Sequence, residues 1–287
     1  MTKGKLIDGR ALADDIKEDL AREVETLRSV HNTIPTLAAI LVGNDEPSKI
    51  YIRMKEKAAN SIGMRLQRHE FESSNTEEIV NLIHELNTDR QIHGILVQLP
   101  LPEGIDSDTV LSAISPEKDV DGFTPYNFGS LVSNRAKLEP CTPLGIMKML
   151  DSEQVPLEGK NVVIINHSII LGKPLAMMLL KRDATVTVCH AKTRELAEHT
   201  KNADVLITAA GVPGLVTEDM VKEGIVVIDA GIKKEGKNVV GDVDFEEVRK
   251  KASMITPVPG GVGPMTVAMV LYNTVEAAKN QIGNKNL

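Results

Sequence analysis

Three groups of side chains in this chain have types and spacings that can do chemistry. Tyr51 and Lys55 stand four residues apart, so on a helix they share one face, with Ser48 and Lys49 one turn earlier. A lysine moves protons near neutral pH only if burial or cationic neighbours lower its pKa. On a solvated face the same pair is only surface charge, and these residues alone leave both readings open. Gln98 precedes Leu99-Pro100-Leu101-Pro102, where two prolines restrict the backbone and set the angle of its amide, for a ligand or for a turn. Asp119 and Asp121 share the loop Pro116-Glu117-Lys118-Asp119-Val120-Asp121-Gly122-Phe123. Such a pair serves turns and caps, or one member accepts hydrogen bonds from a polar heterocycle. No His or Glu cluster completes a metal set around it, the seven histidines show no ligand spacing, and no Ser-His-Asp order stands out. The chemistry these residue types could do is proton transfer and hydrogen-bonded recognition; as structure alone they would be a solvated helix face and turns.

Two further segments are receptors by composition. Thr256-Pro257-Val258-Pro259-Gly260-Gly261-Val262-Gly263-Pro264-Met265-Thr266 carries three prolines and three glycines ahead of a helical pattern. Its reading is either a rigid connector or a stiff backbone with bare amides for a ligand. Asn166-His167-Ser168-Ile169-Ile170-Leu171-Gly172-Lys173-Pro174 follows the strand-like Val162–Ile165 and opens a helix, the arrangement that receives a dinucleotide phosphate. The glycine fingerprint of that element is absent, so an ordinary turn fits as well. Two Gly-containing strand ends, Ala209-Ala210-Gly211-Val212-Pro213 and Asp229-Ala230-Gly231-Ile232, favour the dinucleotide, because ligands bind at the carboxyl ends of parallel strands.

The elements that must position these groups alternate. Thr36–Val42, Arg65–Phe71 and residues 93–98 read as strands, with helices over 47–62 and 76–87 between them. Asn161–Ile165, Thr185–Cys189, 204–208 and 225–229 continue the pattern, and 266–278 reads as a closing amphipathic helix. Runs without polar alternation belong to parallel sheets covered on both faces. A proline-punctuated stretch of lower apolar density, residues 116–143, separates two α/β units.

The chain's 287 residues suit two domains. Aromatics make up 2% with no Trp, so the core must be aliphatic. The net charge of −7 and the lack of a basic stripe argue against nucleic acid. No window reaches a membrane span, the first residues do not resemble a signal peptide, and two distant cysteines fit a reduced cytoplasmic setting.

Taken in order, Tyr51-x-x-x-Lys55, Val97-Gln98-Leu99-Pro100-Leu101-Pro102, Lys118-Asp119-Val120-Asp121-Gly122, Pro140-Cys141-Thr142-Pro143, Ser168-x-x-x-Gly172-x-Pro174, Val227-Ile228-Asp229-x-Gly231-Ile232 and the segment 256–266 resemble the bifunctional methylenetetrahydrofolate dehydrogenase/cyclohydrolase family. The resemblance implies two α/β domains with a cleft between them. One is a three-layer α/β/α folate-binding domain, residues 1–138 plus 265–287; the other is a Rossmann-type dinucleotide domain, 139–264. It implies oxidation of 5,10-methylenetetrahydrofolate by NADP+ to the methenyl form, then hydrolysis to 10-formyltetrahydrofolate, which feeds purine, methionine and histidine biosynthesis. Lys55 is then the key catalytic group, with Tyr51, Gln98 and Asp121 around the pterin. Val97, Leu99 and the backbone of Pro259, Gly260, Gly261, Val262 and Gly263 lie near the folate. Asn166, His167, Ser168, His190, Ala191, Thr193, Ala210, Gly211, Pro213, Gly231 and Ile232 bind the cofactor. The resemblance also implies a cytoplasmic homodimer with no metal.

The chain departs from the family where Gly-Arg-Ser is usual: it has Asn166-His167-Ser168. The always-charged Arg that meets the extra phosphate of NADP becomes a histidine, and Ala191 stands where a Ser often helps. Lys192 and Arg194 are near enough in sequence to supply charge, so NADP is expected, with NAD as the alternative. A monofunctional dehydrogenase and a non-catalytic nucleotide-binding module are the competing readings. Retention of Lys55 and Gln98 speaks against the first, and the second predicts no turnover. A short-chain-type oxidoreductase built on the Tyr51/Lys55 pair fails on position, because that pair precedes the dinucleotide turn at Asn166 by over a hundred residues.

Overall fold

In the computed structural model, which describes residues 3–236 and 238–283, strands and helices alternate as two separate units. In chain order they are β1 (Lys5–Leu6), α1 (Gly9–His31), β2 (Thr36–Val42), α2 (Glu46–Ser61), β3 (Arg65–Phe71), α3 (Thr76–Thr88), β4 (Gly94–Val97), α4 (Ser107–Ser112), α5 (Pro125–Val132) and α6 (Cys141–Ser152). Then follow β5 (Asn161–Ile165), α7 (Gly172–Leu180), β6 (Thr185–Cys189), α8 (Leu196–Thr200), β7 (Val205–Thr208), β8 (Val226–Asp229), β9 (Lys233–Glu235), β10 (Asn238–Val240), α9 (Phe245–Lys251), β11 (Met254–Ile255) and α10 (Val262–Gly283).

One unit comprises Asp14–Cys141 with the chain beyond Thr266. Its sheet, in the order β3-β2-β4, is wholly parallel, and every residue of β2 is buried. Ala38, Ile40 and Val42 pack with Ile79, Ile83 and Leu86 of α3. A second apolar cluster joins Leu20, Val24 and Leu27 of α1 to Ala59 of α2 and Leu271, Val275 and Ala278 of α10. Helices therefore cover the sheet as a three-layer α/β/α unit. α1 is a helix that the strand-centred reading of the sequence passed over. Its signals are local: Asp8 Oδ1 accepts from the amides of Arg10 and Ala11, both at 3.0 Å, and Ala13, Leu20, Val24 and Leu27 recur at helical spacing.

The other unit comprises residues 3–13 with Thr142–Thr266. Its six-stranded sheet runs β1-β11-β8-β7-β5-β6, with every pairing parallel. The sequence division places residues 1–138 in the first domain, but the start of the chain goes elsewhere. β1 pairs Lys5 with Met254 and Leu6 with Ile255, so backbone hydrogen bonds tie it to the second sheet. A two-residue strand has no sequence signature to reveal this. The antiparallel hairpin of β9 and β10 was likewise not expected in a parallel pattern.

Helix boundaries differ from expectation where caps decide them. α2 starts at Glu46 because Asp45 accepts from Ser48 N at 2.9 Å and Pro47 sits in the first turn. α10 starts at Val262, four residues earlier than the apolar period suggests. Pro264 falls in its first turn, where a missing N–H leaves nothing unpaired.

The proline-glycine segment is pinned rather than bare. Gly261 N donates to Pro257 O at 2.9 Å, and Gly260 O accepts from Arg10 N at 3.0 Å. Gly260 has φ +112°, a conformation that glycine tolerates. A Cβ on Gly9 would lie 2.0 Å from Gly261 O, so the start of α1 presses against the segment. Its expected bare amides are thus corrected at Gly261, whose N–H closes a turn.

Candidate active site

Lys55 is the buried member of the pair on α2. It is 8% exposed, whereas Tyr51 is half-buried and Ile52 and Ala59 turn into the core. This decides against a solvated face for Lys55. Its Nζ donates to Gln98 Oε1 at 3.0 Å. Gln98 follows the last residue of β4, its backbone N–H bonds Ile40 O at 2.9 Å, and its own Nε2 donates to Leu99 O at 2.9 Å. The Leu99–Pro100 bond beyond it is cis. The amide oxygen is therefore held toward Lys55 by the sheet on one side and the turn on the other.

Burial pulls the Lys55 ammonium below the ordinary lysine pKa, while the nearby Asp121 carboxylate and Cys141 sulfur oppose it. The order is physical. Taking an ammonium out of water costs several kcal/mol. A single opposite charge at an effective dielectric near 20 returns about 4 kcal/mol even at 4 Å. Asp121 moves the other way: burial raises its carboxyl to about 6, and Lys55 partly offsets that rise. Both shifts shrink the gap between acid and amine, which suits proton transfer near neutral pH.

The two aspartates of the loop separate into distinct tasks. Asp119 is 1% exposed and accepts from Gly122 N (2.9 Å), Phe123 N (3.2 Å), Thr124 N (2.8 Å) and Asn127 Nδ2 (2.9 Å). It is turn and cap chemistry. Asp121 is left to face Lys55. The other side of its loop is tied by Asn273 of α10, whose Nδ2 donates to Val120 O and Glu139 O, both at 2.8 Å. Cys141 Sγ donates to Val120 O at 3.1 Å, and burial pushes its thiol well up, so it is a packing group rather than a nucleophile. Lys118 is buried and donates to Leu86 O (2.8 Å) and Asp89 O (2.7 Å), closing the end of α3.

In the other unit the ligand crevice follows from strand order. The chain runs from β5 to β6 on one side, and β7 pairs on the other side of β5. Such a switch opens a crevice at the carboxyl ends of the strands. The turn Asn166–Leu171 leaves β5 there, with Ala209–Pro213 leaving β7 and Ala230–Ile232 leaving β8. Asn166 shapes its turn from inside: Oδ1 accepts from Ser168 N (2.8 Å), Ser168 Oγ (2.8 Å) and Gly172 N (3.0 Å), while Nδ2 donates to Ala209 O (2.8 Å). The side chains of Asn166 and Ser168 are thus engaged with the protein. A Cβ on Gly172 would lie 2.0 Å from Asn166 O, so this one glycine suffices for close approach of helix and strand.

His167 and His190 are exposed, with ring centroids 5.0 Å apart. His190 Nδ1 accepts from Lys192 N at 3.1 Å. His190 N donates to Thr193 Oγ1 at 2.9 Å. After β6, where an NAD-binding fold carries a carboxylate for the ribose, this chain has His190, Ala191, Lys192, Thr193 and Arg194. These donors and the strand-end loops fit a phosphorylated dinucleotide. Among the described residues, no group of three or more His, Cys, Asp or Glu could hold a metal ion, and no helix is long and apolar enough to cross a membrane.

The catalytic-domain profile of tetrahydrofolate dehydrogenase/cyclohydrolase matches residues 7–121, and its NAD(P)-binding-domain profile matches 140–282. The chain belongs to the tetrahydrofolate dehydrogenase/cyclohydrolase family. It is 53% identical over 276 residues to Bifunctional protein FolD 2 of Geobacter sulfurreducens, covering 96% of each chain. It is similar to the structure of the bifunctional FolD methylenetetrahydrofolate dehydrogenase/cyclohydrolase of Campylobacter jejuni, at TM-score 0.94 and 50% identity, covering 96% of this chain and 99% of that one. It is also similar to a Trypanosoma brucei FolD, solved with NADP cofactor and inhibitor, at TM-score 0.94 and 39% identity, covering 98% and 99%. As a member of this family the chain is an enzyme with dehydrogenase and cyclohydrolase activities and an NAD(P)-binding domain.

Within the folate-type unit the structure brings Lys55, Gln98 and Asp121 together, with Val97 buried at the end of β4 and Leu99 beside it. Within the dinucleotide-type unit His167 meets His190, while Ala210, Gly211, Pro213, Gly231 and Ile232 lie on the strand-end loops. Sequence reasoning missed Asn273 and Asp242, and it quoted Asp229 only within a strand-end motif, with no role of its own. Asn273 sits on a helix whose apolar run hides it. Asp229 ends a strand and Asp242 follows a glycine, both ordinary turn composition. Asp229 is buried and its carboxyl is raised to about 6, chiefly by burial, against the pull of three backbone N–H donors.

Proposed function

We propose that the chain oxidises 5,10-methylenetetrahydrofolate to the methenyl form with NADP+ and then hydrolyses the product to 10-formyltetrahydrofolate. The observation that carries this reading is the buried Lys55 ammonium on Gln98 with Asp121 as its charge partner. NADP+ supplies the acceptor for the hydride that leaves the bridging methylene carbon. The protein's part in that step is orientation. In the second step water adds to the methenyl carbon and gives a proton to Lys55 Nζ, whose lowered pKa makes the neutral amine accessible. The hydroxyl proton of the adduct then passes to N5 as the carbon–N5 bond breaks, leaving the formyl group on N10. Lys55 returns its proton to solvent. Gln98 holds Nζ in place, Asp121 accepts from the pterin amino group and ring N–H, and Tyr51 offers a flat face. Val97, Leu99 and the backbone of Pro259–Gly263 are assigned to the folate by the family resemblance.

The dinucleotide is assigned to the turn Asn166-His167-Ser168 and to His190, Ala191 and Thr193, with Ala210, Gly211, Pro213, Gly231 and Ile232 on the facing loops. The basic stretch His190 to Arg194 after β6, with no carboxylate before Glu195, favours NADP over NAD. The test is a coupled spectroscopic assay with NADP+ and NAD+ at equal concentration. Methenyl absorbance is expected to rise and then decay, faster with NADP+. Accumulation without decay leaves a monofunctional dehydrogenase, and no change at all removes the enzymatic reading.

The chain is further assigned as a cytoplasmic homodimer of one-carbon metabolism, in the service of purine, methionine and histidine biosynthesis. Support for the dimer is the edge strand β6, which pairs only with β5 among the described residues and leaves Val188 39% exposed. Light scattering should give twice the chain mass of 31.2 kDa, and a monomer at assay concentration would rule the dimer out. Both cysteines are free and buried, in keeping with a reducing compartment.

A further inference from the structure

The loops after β7 and β8 are assembled around two buried carboxylates that no catalytic step uses. Asp242 is 0% exposed and Asp229 is 4% exposed. Asp242 Oδ2 accepts from Thr208 Oγ1 at 2.8 Å and Ala210 N at 2.5 Å, and its Oδ1 accepts from Val212 N at 2.8 Å. Between those two amides stands Gly211 with φ +68°. The positive φ turns both neighbouring N–H groups to one side, forming the kind of backbone concavity that elsewhere in proteins receives a phosphate. Here the anion in the concavity is the protein's own carboxylate.

Asp229 supports Asp242 from behind. Its Oδ1 accepts from Gly231 N at 2.9 Å and Asp242 N at 3.1 Å, and its Oδ2 accepts from Val243 N at 3.0 Å. The fit leaves no room for side chains. A Cβ on Gly231 would lie 2.3 Å from the Asp242 carboxylate, and a Cβ on Gly241 would lie 2.1 Å from Asp229 Oδ2. Six donors converge on four carboxylate oxygens. One of them is a side-chain hydroxyl and the others are backbone amides of the two loops and of the 242–243 segment.

We propose that Asp242, backed by Asp229, is a positioning residue for the dinucleotide: it consumes the amides of the loop after β7 and so fixes that loop in the shape that receives the cofactor. With Ala210 N and Val212 N already bonded inward, those two amides are not available to a phosphate. The loop meets its ligand through carbonyl oxygens and through the exposed side chain of Val212, which suits a neutral portion of the dinucleotide. The phosphates are then left to the turn after β5 and to the basic residues after β6. This inference rests on the reading of the unit as a dinucleotide site.

The test is Asp242→Asn, which keeps the size but turns one acceptor into a donor facing N–H groups. In the full-length enzyme KM for NADP+ is expected to rise about 10–100-fold, the change expected for losing one charge-assisted hydrogen bond. The kcat at saturating NADP+ should stay within about threefold, as for a loss of binding alone. Hydrolysis of added methenyltetrahydrofolate, which needs no dinucleotide, should not change. An unchanged KM for NADP+, or parallel losses of kcat and hydrolysis, overturns the proposal. If the variant does not fold, Thr208→Val decides: it removes one neutral donor from the same carboxylate and should raise KM about 3–10-fold with hydrolysis intact. No rise there overturns the proposal as well. Failure of the unsubstituted enzyme to use either dinucleotide would instead overturn the functional reading on which it rests.

Discussion

Lys55→Met is expected to lose hydrolysis of methenyltetrahydrofolate by about 10²–10⁴-fold, the usual worth of a positioned proton acceptor. Dinucleotide affinity should stay within about twofold, because Lys55 lies outside the dinucleotide-type unit. The variant also separates catalysis from stability. Folding lowers the Lys55 pKa, so the folded state carries a cost for the ammonium at any pH below the ordinary lysine value. That cost fades as pH rises toward 10.5. Methionine has similar length and no charge to bury, so at pH 7 Tm should fall by no more than about 4 °C, and a rise is consistent. Undiminished hydrolysis would remove Lys55 from the mechanism, and a collapse of Tm with equal loss of both activities would make it structural.

Asp121→Ala is expected to weaken folate binding by about 10–100-fold, the loss of a charge-assisted hydrogen bond, and to leave dinucleotide binding unchanged. The unsubstituted enzyme should show the same dependence through pH. Asp121 titrates at about 6, and only its ionised form accepts from two ligand N–H groups. Folate Kd should therefore rise as pH falls below 6, and Asp121→Asn should abolish that inflection. The stability effect has the opposite sign. A carboxyl raised above its unfolded value stabilises the fold fully only below about 3.8, and this contribution is lost as pH rises through 6. At pH 7 Asp121→Asn should then gain on the order of 1–3 kcal/mol of stability while losing ligand affinity. Calorimetry across pH 5–8 checks both halves, and equal loss of folate and dinucleotide binding would show that the residue only supports the fold.

Legibility followed the range of the interactions. β2 and β5 were readable residue for residue because continuous apolar runs between turn residues have one use in a parallel sheet. β6 was readable from its β-branched Thr and Val, and β3, a mostly polar edge strand, only from its place in the alternation. Lys55, Gln98 and Asp121 were readable as residue types. Their convergence was not, since they are 43 and 23 residues apart in the chain. The split between Asp119 and Asp121 was also hidden: two aspartates two residues apart look alike until Gly122, Phe123, Thr124 and Asn127 all turn toward one of them.

The sequence by itself determined the alternating α/β architecture, the aliphatic cores, the family and the basic end of β6. Each of these rests on local periodicity or on motifs read in order. Tertiary structure alone decided that residues 3–13 join the second sheet, that Lys55 is buried and not solvated, and that Asp242 fills the concavity at Gly211. A two-residue strand, a desolvated amine and a carboxylate thirty residues from its amide partner leave no period in the sequence. Their energies arise only when distant backbone donors and apolar walls come together, and those distances do not exist until the chain is folded.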